Sequence, residues 1–433
     1  MLRRRLALLP LAALAASFTA LAASPARADT SPVVVITDTD GFLQKHKLSS
    51  TSDLNAMHDK LLELYAATGL ELPEIMSVWT TFPLGGGTDG VSTYFDAFAA
   101  DAKGIGLQSF YPPDGLLTSK KPPLRSILWH NDVTVLSQRA NIQKVPVASF
   151  GRYLFLLELS HNWGPAAQVP APNAGELVGF PFHWSFFMDA GGSPAGGNQW
   201  KDNGDGTYTT IAADASKLGY SKLDLYLMGL APASSVPPFG VLENVTVPAT
   251  PTDPLWQGAY AAHSFPWFDA SSSLTVTATR RVLTIDDVVT ANGARDPAAG
   301  ASPTSWKLGV VLLVEGTATA DQVAAQKAGF DPIASGFAPA FHEATSGLGT
   351  LEVVTHDLGG EGGGGGAGGA SSASSGSGGA KSAAGSGGSQ ASSSDGGGCS
   401  FGGAPGGEGA MGSLAVLAAA ALVSRRRRSL ARH

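Results

Sequence analysis

The chain has 433 residues, of which 28 are Lys or Arg and 35 are Asp or Glu. Nine of the basic residues and one acidic residue lie in the first 28 residues or after residue 399, so the body between them holds 19 basic against 34 acidic side chains. So acidic a body argues against nucleic acid and anionic lipid as partners, and a single cysteine excludes an internal disulfide, which leaves core burial or metal to stabilise the fold.

The N-terminal residues have the pattern of a secretory signal. Three arginines at positions 3 to 5 precede a stretch rich in Ala and Leu, and Ala26, Arg27 and Ala28 form a small-x-small cleavage site. We therefore predict that the chain is exported and that residues 1–28 are removed after Ala28.

The first part of the body alternates between strand-like and helix-like patterns. The run VVVIT from Val33 is rich in β-branched residues and predicts a buried strand. Apolar residues from Leu54 to Tyr65 recur at helical spacing, and Gly69 follows as a stop signal. The further predictions in this part are a strand within 71–83, a helix over 91–102, a short strand over 105–110, a strand over 127–130, and Ser149 as the N-cap of the next helix.

That next helix carries the most informative residues of the chain. It covers YLFLLELSHNWG, Tyr153 to Gly164, and the proline after it cannot continue the helix. Glu158 and His161 are three residues apart, so they share one helix face. In an H-E-x-x-H helix two histidines bind zinc and the glutamate activates a metal-bound water. Here Leu157 occupies the position of the first histidine.

Downstream patterns predict a mixture of strands and helices. Phe182 to Asp189 alternates as a strand does, and Tyr220 to Gly229 has helical spacing. The turn Asp202 to Gly206 reads as a hairpin turn; calcium binding is the other reading, but no bidentate glutamate is present at the distance of a calcium loop. The remaining predictions are strands over 274–279, 282–289, 308–315 and 351–355, and a helical stretch over 319–343 interrupted at Pro332, Gly336 and Pro339.

Four blocks of sequence carry a family resemblance: LELSHNWG, HWSFFMD, GNQWKDNGDGTYT and YSKLDLYLMGLAP. They resemble, in the same order, the blocks HExGHxW, HWSFF, GNxWxDNGDGTF and YSxLDxYLMGLxP of secreted bacterial zincin-like metallopeptidase domains. The resemblance implies an α+β fold, with a zincin-like mixed sheet, a central metal-site helix packed beneath the sheet edge, and a second α/β lobe. We assign residues 29–239 to the zincin-like domain and 240–357 to a second lobe of the same domain, with one continuous domain as the alternative.

The resemblance also implies a candidate site. Glu158 would be the catalytic general base, and His161, His183 and Asp224 would be zinc ligands, with Asp224 alternatively orienting another ligand. Leu157 replaces one imidazole, so the site lacks one zinc ligand. Zinc is therefore a possible cofactor, and its occupancy is doubtful.

Each of these residues has a plainer reading. Glu158 and His161 form a buried polar pair in that reading, satisfied by hydrogen bonds within a helical core. His183 then faces solvent or packs on the neighbouring tryptophan, and Asp224 bonds to backbone or to Lys222.

The C-terminal tail resembles an address signal. Residues 358–398 are almost entirely Gly, Ser and Ala, which predicts a disordered linker. Next come Cys399, a glycine-rich spacer, an apolar run over 410–423 and arginines at 425–428. This order resembles a sorting signal of the myxobacterial type, which implies lipid modification of Cys399, removal of residues 400–433 and attachment at the outer cell surface. An uncleaved C-terminal membrane anchor is the alternative.

Two functions are compatible with these features. The first is a cell-surface-anchored member of the zincin-like metallopeptidase family with an impaired or inactive site, which binds a peptide or a surface polymer. The second is an active zinc metalloendopeptidase with a rebuilt ligand set of Glu158, His161, His183 and Asp224. In both, the only membrane contact is through the C-terminal anchor.

Overall fold

The chain has a mixed α+β fold, as the sequence predicts, with two large sheets in a computed structural model. Among the residues this structure describes, no helix has both the length and the apolar character that a membrane crossing requires. The predicted signal peptide, nearly all of the predicted linker and the apolar run 410–423 lie outside the described residues. The structure describes residues 30–46, 51–84, 93–97, 102–107, 122–170, 177–179, 183–246, 266–357 and 398–399.

Strands and helices are interspersed in the first third of the chain and again in the last. The strands are β1 Thr30–Ser31, β2 Val33–Asp38, β3 Ile75–Thr80, β4 Thr93–Ala97, β5 Ser126–Asp132, β6 Val178–Gly179, β7 His183–Asp189, β8 Gly196–Asp202, β9 Thr207–Ile211, β10 Phe239–Thr246, β11 Thr275–Leu283, β12 Ser305–Glu315, β13 Thr350–Val353, β14 His356–Asp357 and β15 Gly398–Cys399. The helices are α1 Phe42–Lys45, α2 Thr51–Ala66, α3 Leu136–Ile142, α4 Val147–Ser160, α5 Lys222–Met228, α6 Ile285–Asn292, α7 Ala320–Ala334 and α8 Phe337–Ala344.

The first sheet is organised around β12. Its strand order is β13-β12-β3-β5-β4-β15. On the side of β12 away from β3, β13 pairs with residues 305–308 of β12 and β2 pairs with residues 310–315. The pairings of β12 with β2, β3 and β13 are parallel, whereas β4 is antiparallel to β5. Residues 308 to 314 of β12 are buried on both faces, as expected for an interior strand of a parallel sheet with helices on both sides.

Helices cover both faces of this sheet. On one face α2 buries Met57 and Leu61 in the same core as Val78 and Val311. On the other face α4 packs beneath β4 and β5 and is itself enclosed by α3, α7 and α8. The rings of Phe155 on α4 and Phe337 on α8 stack with their centroids 4.3 Å apart. Because α4 is covered on all sides, its apolar residues face every direction.

The second sheet curls back on itself. Its strand order is β10-β11-β9-β8-β7-β6, and β10 also pairs with β7 through Val241 and Met188. Phe186, Trp200 and Tyr208 belong to a separate apolar cluster inside this sheet. β7 thereby lies between this sheet's core and the end of α4, so that its first residue is close to that helix end.

The predicted division at residue 240 does not separate the two sheets. β10 spans that boundary and pairs with β7 from the earlier part of the chain. β12, from the later part, lies between β2 and β3 from the earlier part. Residues 240–357 therefore contribute strands to both sheets, and the first sheet takes its central strand, β12, from them.

Two predicted elements are wrong in type, and a third is described only in part. The predicted helix over 91–102 contains β4, whose residues TYFDA pair with β5. The predicted strand over 105–110 is described only to residue 107 and forms no strand there. The predicted strand over 282–289 ends at Leu283, and α6 begins two residues later. Thr284 and Asp287 form a capping box at that point, a start signal that outweighs the β-branched valines.

Helix boundaries also differ from prediction. The N-cap of α4 is Pro146 rather than Ser149, so the helix begins three residues earlier than predicted. The stretch 319–343 breaks only between Ala334 and Phe337. Pro332 lies near the end of α7, and Pro339 lies in the first turn of α8. A helix tolerates proline best in its first turn, which is where Pro339 lies.

Candidate functional site

The central helix brings Glu158 and His161 onto one face, as the sequence predicts. α4 ends at Ser160, and His161 is its C-cap with helical dihedral angles, φ −64° and ψ −16°. The Nε2 atom of His161 lies 3.8 Å from Oε2 of Glu158. Leu-rich sequence favours helix here, and burial between sheet and helices fixes it.

Glu158 receives a hydrogen bond from the first sheet. The hydroxyl of Thr93, on β4, donates to Oε1 of Glu158 at 2.5 Å, and both side chains are fully buried. A buried carboxylate is costly unless donors surround it, so this contact offsets part of the desolvation of Glu158.

His183 completes a three-residue cluster. It is the first residue of β7, and its ring centroid is 5.1 Å from that of His161, with the two planes tilted by 36°. Burial lowers the pKa of His161 well below its usual value, and the nearby His183 lowers it further. His161 is therefore a neutral imidazole, the protonation state in which histidine binds a metal.

Leu157 lies in the main apolar core. Its side chain is fully buried, and it belongs to the same apolar cluster as its neighbours on α4 and the covering helices. An aliphatic side chain offers no electron pair, so Leu157, at the position of the first histidine of H-E-x-x-H, contributes no metal donor.

Asp224 is held elsewhere. Its carboxylate accepts hydrogen bonds from Trp184 Nε1 at 2.6 Å, from the Ser193 hydroxyl at 2.8 Å and from the Ser221 amide at 2.7 Å. Burial raises the pKa of Asp224, while these donors oppose that shift. Trp184 is the residue after His183 in β7, and successive strand residues point to opposite faces.

The structure thus brings together Glu158, His161 and His183, and it ties Asp224 to the start of α5 instead. Within the described ranges, no group of three or more His, Cys, Asp or Glu side chains has an arrangement able to hold a metal ion. A catalytic zinc site takes three protein ligands, and two imidazoles beside a hydrogen-bonded carboxylate do not fit that requirement.

The cluster is closed to solvent. The exposed fractions of Glu158, His161 and His183 are 0%, 3% and 1%. Phe95 on β4 covers His161, with ring centroids 5.6 Å apart. A peptide does not reach these groups in this conformation.

The structure also describes the predicted processing residue Cys399 and the turn from Asp202 to Gly206. The backbone of Cys399 forms β15 and pairs with β4 at Thr93, while Ala28 lies outside the described residues. In the turn after β8, Asp202 accepts from the Gly204 amide and Asp205 from Thr207, as in a hairpin turn.

Sequence reasoning missed Thr93 and Phe95, the two β4 residues that contact the cluster. Thr93 is 65 positions from its partner, and its stretch was predicted to be helical. Alternation of Thr93 and Phe95 on one strand face is the signal that could have identified them.

Comparisons with known proteins add no relative. No family model matches the chain, and neither a curated protein nor a solved structure matches it.

Proposed function

We propose that the chain is an exported zincin-like protein, anchored at the cell surface, whose ancestral peptidase site is impaired and which acts by binding a peptide or a surface polymer. The observation that carries this proposal is Leu157, a buried aliphatic side chain in the position of a zinc-binding imidazole. The export and anchoring parts rest on the N-terminal signal and on the tail around Cys399.

The contacts between the four resembling blocks support descent from one site. The Tyr220 hydroxyl, in the fourth block, donates to the Leu156 carbonyl, next to the first, at 2.7 Å. Asp224, in the fourth, accepts from Trp184 in the second. Asn198, in the third, donates through its side chain to the carbonyl of Phe186 in the second. Hydrogen bonds that join blocks from Leu157 to Pro232 are compatible with the common origin that we propose.

Metal content tests the proposal directly. We expect the purified protein to hold far less than one zinc per chain, because one ligand of a three-ligand site is missing. Leu157→His restores that ligand, and we expect it to raise bound zinc toward one per chain, measured by elemental analysis after dialysis. The matched control is Leu159→His, which places an imidazole on the opposite side of α4 and should add none.

Two results would count against impairment or descent. Stoichiometric zinc in the natural protein, lost on His161→Ala, would favour the active peptidase with a rebuilt ligand set. That alternative is favoured by one observation, the proximity of His161 and His183. A folded Leu157→His protein without zinc would contradict an inherited metal site.

A further inference from the structure

Two residues on one face of β4 contact two residues of the α4 region. Thr93 and Phe95 are two positions apart on the strand and share a face, while Glu158 and His161 share a face of the helix. Thr93 contacts Glu158 and Phe95 contacts His161. This face of β4 therefore contacts the candidate site at two residues.

The geometry of the first contact fixes an orientation. The Thr93 hydroxyl lies 2.5 Å from Oε1 of Glu158, and the other carboxylate oxygen, Oε2, lies 3.8 Å from Nε2 of His161. A donor on one oxygen, in a fully buried setting where hydrogen bonds to charged groups are strong, restricts rotation of the carboxylate.

We propose that Thr93 is a positioning residue, which holds the Glu158 carboxylate with Oε2 directed toward His161. The orientation of the ancestral general base is then set by β4 and not by α4 alone. This inference rests on the proposed descent from a metal site.

The chain offers a matched control for loss of a buried threonine hydroxyl. Thr80 on β3 is also fully buried, and its hydroxyl donates to the Phe82 carbonyl at 2.5 Å. Thr80→Val removes a hydroxyl of the same type without touching Glu158. A general effect of losing a buried hydrogen bond would appear in both valine variants.

Nuclear magnetic resonance of the purified protein, labelled with ¹³C at the Glu carboxyl and ¹⁵N in the His rings, tests the proposal at neutral pH. Glu158→Gln and His161→Ala identify the two resonances. We expect Thr93→Val to shift both the Glu158 carboxyl and the His161 ring signals. Thr93→Ser, which keeps the hydroxyl, should return both to their original positions, and Thr80→Val should move neither.

Unmoved Glu158 and His161 signals in a folded Thr93→Val protein would overturn the positioning role. Equal shifts in Thr93→Val and Thr93→Ser would do the same, since the hydroxyl would then be irrelevant. If the valine variant does not fold, Thr93→Cys keeps the size with a weaker donor and should shift both signals partway. Failure of Leu157→His to bind zinc would instead overturn the proposed descent and leave these signals unchanged.

Discussion

His130 on β5 is a buried imidazole that lies outside the candidate site. Its ring stacks on Trp79 with centroids 4.3 Å apart, and in the described part of the chain neither ring nitrogen has a hydrogen-bond partner. Burial lowers the pKa of His130 from 6.5 to about 3. The folded protein therefore holds this ring neutral at pH values where the unfolded chain protonates it.

This difference predicts acid sensitivity. Stability contributed by a neutral His130 is complete above pH 6.5 and is lost as the pH falls toward 3, because the unfolded state then binds the extra proton. Two pH units below 6.5, the loss from this one residue is about 2 to 3 kcal/mol. His130→Leu should therefore lose less stability than the natural protein between neutral pH and about pH 4.5, measured by urea unfolding.

The control for this prediction is His342→Leu, at an exposed position on α8. Because that side chain is exposed in the folded protein, the variant should change the pH dependence much less than His130→Leu does. Parallel pH profiles for the natural protein and His130→Leu would contradict the account.

Residue roles within the site were only partly predictable. The three-residue spacing of Glu158 and His161 is a local property of a helix, so sequence alone places them together. The family resemblance, and not helical spacing, predicted that His183 belongs to the same site. Trp184, which donates to Asp224, and Thr93, which donates to Glu158, come from distant strands, and the choice of such distant hydrogen-bond partners leaves no periodic pattern in a sequence.

At the scale of elements, β4 is held from both faces. Thr93 and Phe95 face α4, whereas Asp96 points to the opposite core. Oδ2 of Asp96 lies 2.9 Å from Nε2 of His58 on α2 and accepts a hydrogen bond from Trp129 Nε1 at 2.9 Å. One carboxylate therefore serves two buried ring nitrogens.

We expect Asp96→Ala to destabilise the fold by roughly 2 to 5 kcal/mol, because it leaves two buried polar groups without their acceptor. Urea unfolding measures the change, and hydrogen exchange should show the largest loss of protection in β4. Asp214→Ala, which removes an exposed carboxylate bonded to Ser216, should have a much smaller effect. A change in Asp96→Ala within about 0.5 kcal/mol of zero would show that β4 does not depend on this contact.

Element types were predicted best where the pattern was long. The central strand β12 and the helix α2 have clear periodicity or continuous burial, and both are confirmed. β4 has five residues, too few to distinguish alternation from helical spacing, and its pairing with β5 decided the outcome. α6 comes after a strand without a break, so only its cap marked the change.

The whole molecule depends on residues 240–357. β12 contributes Val310 and Leu312 to one core and Val311 and Leu313 to the other. We expect residues 30–239 alone to show no cooperative unfolding transition, because removal of β12 opens both cores. Circular dichroism during urea titration compares this fragment with residues 30–357, the matched control.

A cooperative transition in the shorter fragment would establish an independent first lobe. Its m-value should then scale with the surface that the fragment buries, and comparison with the longer protein would locate the remaining cooperative unit.

The position of β12 between β2 and β3 governs when the protein finishes folding. β2 pairs with β12 from Val33 to Asp38, about 280 residues earlier in the chain, and the described residues of the first half of the polypeptide supply no strand for that gap. A nascent chain emerging from its N-terminus thus keeps two strand edges open until most of its length has been synthesised. In the export that we propose, the first sheet would stay incomplete until β12 is available, which is compatible with passage of an unfolded chain.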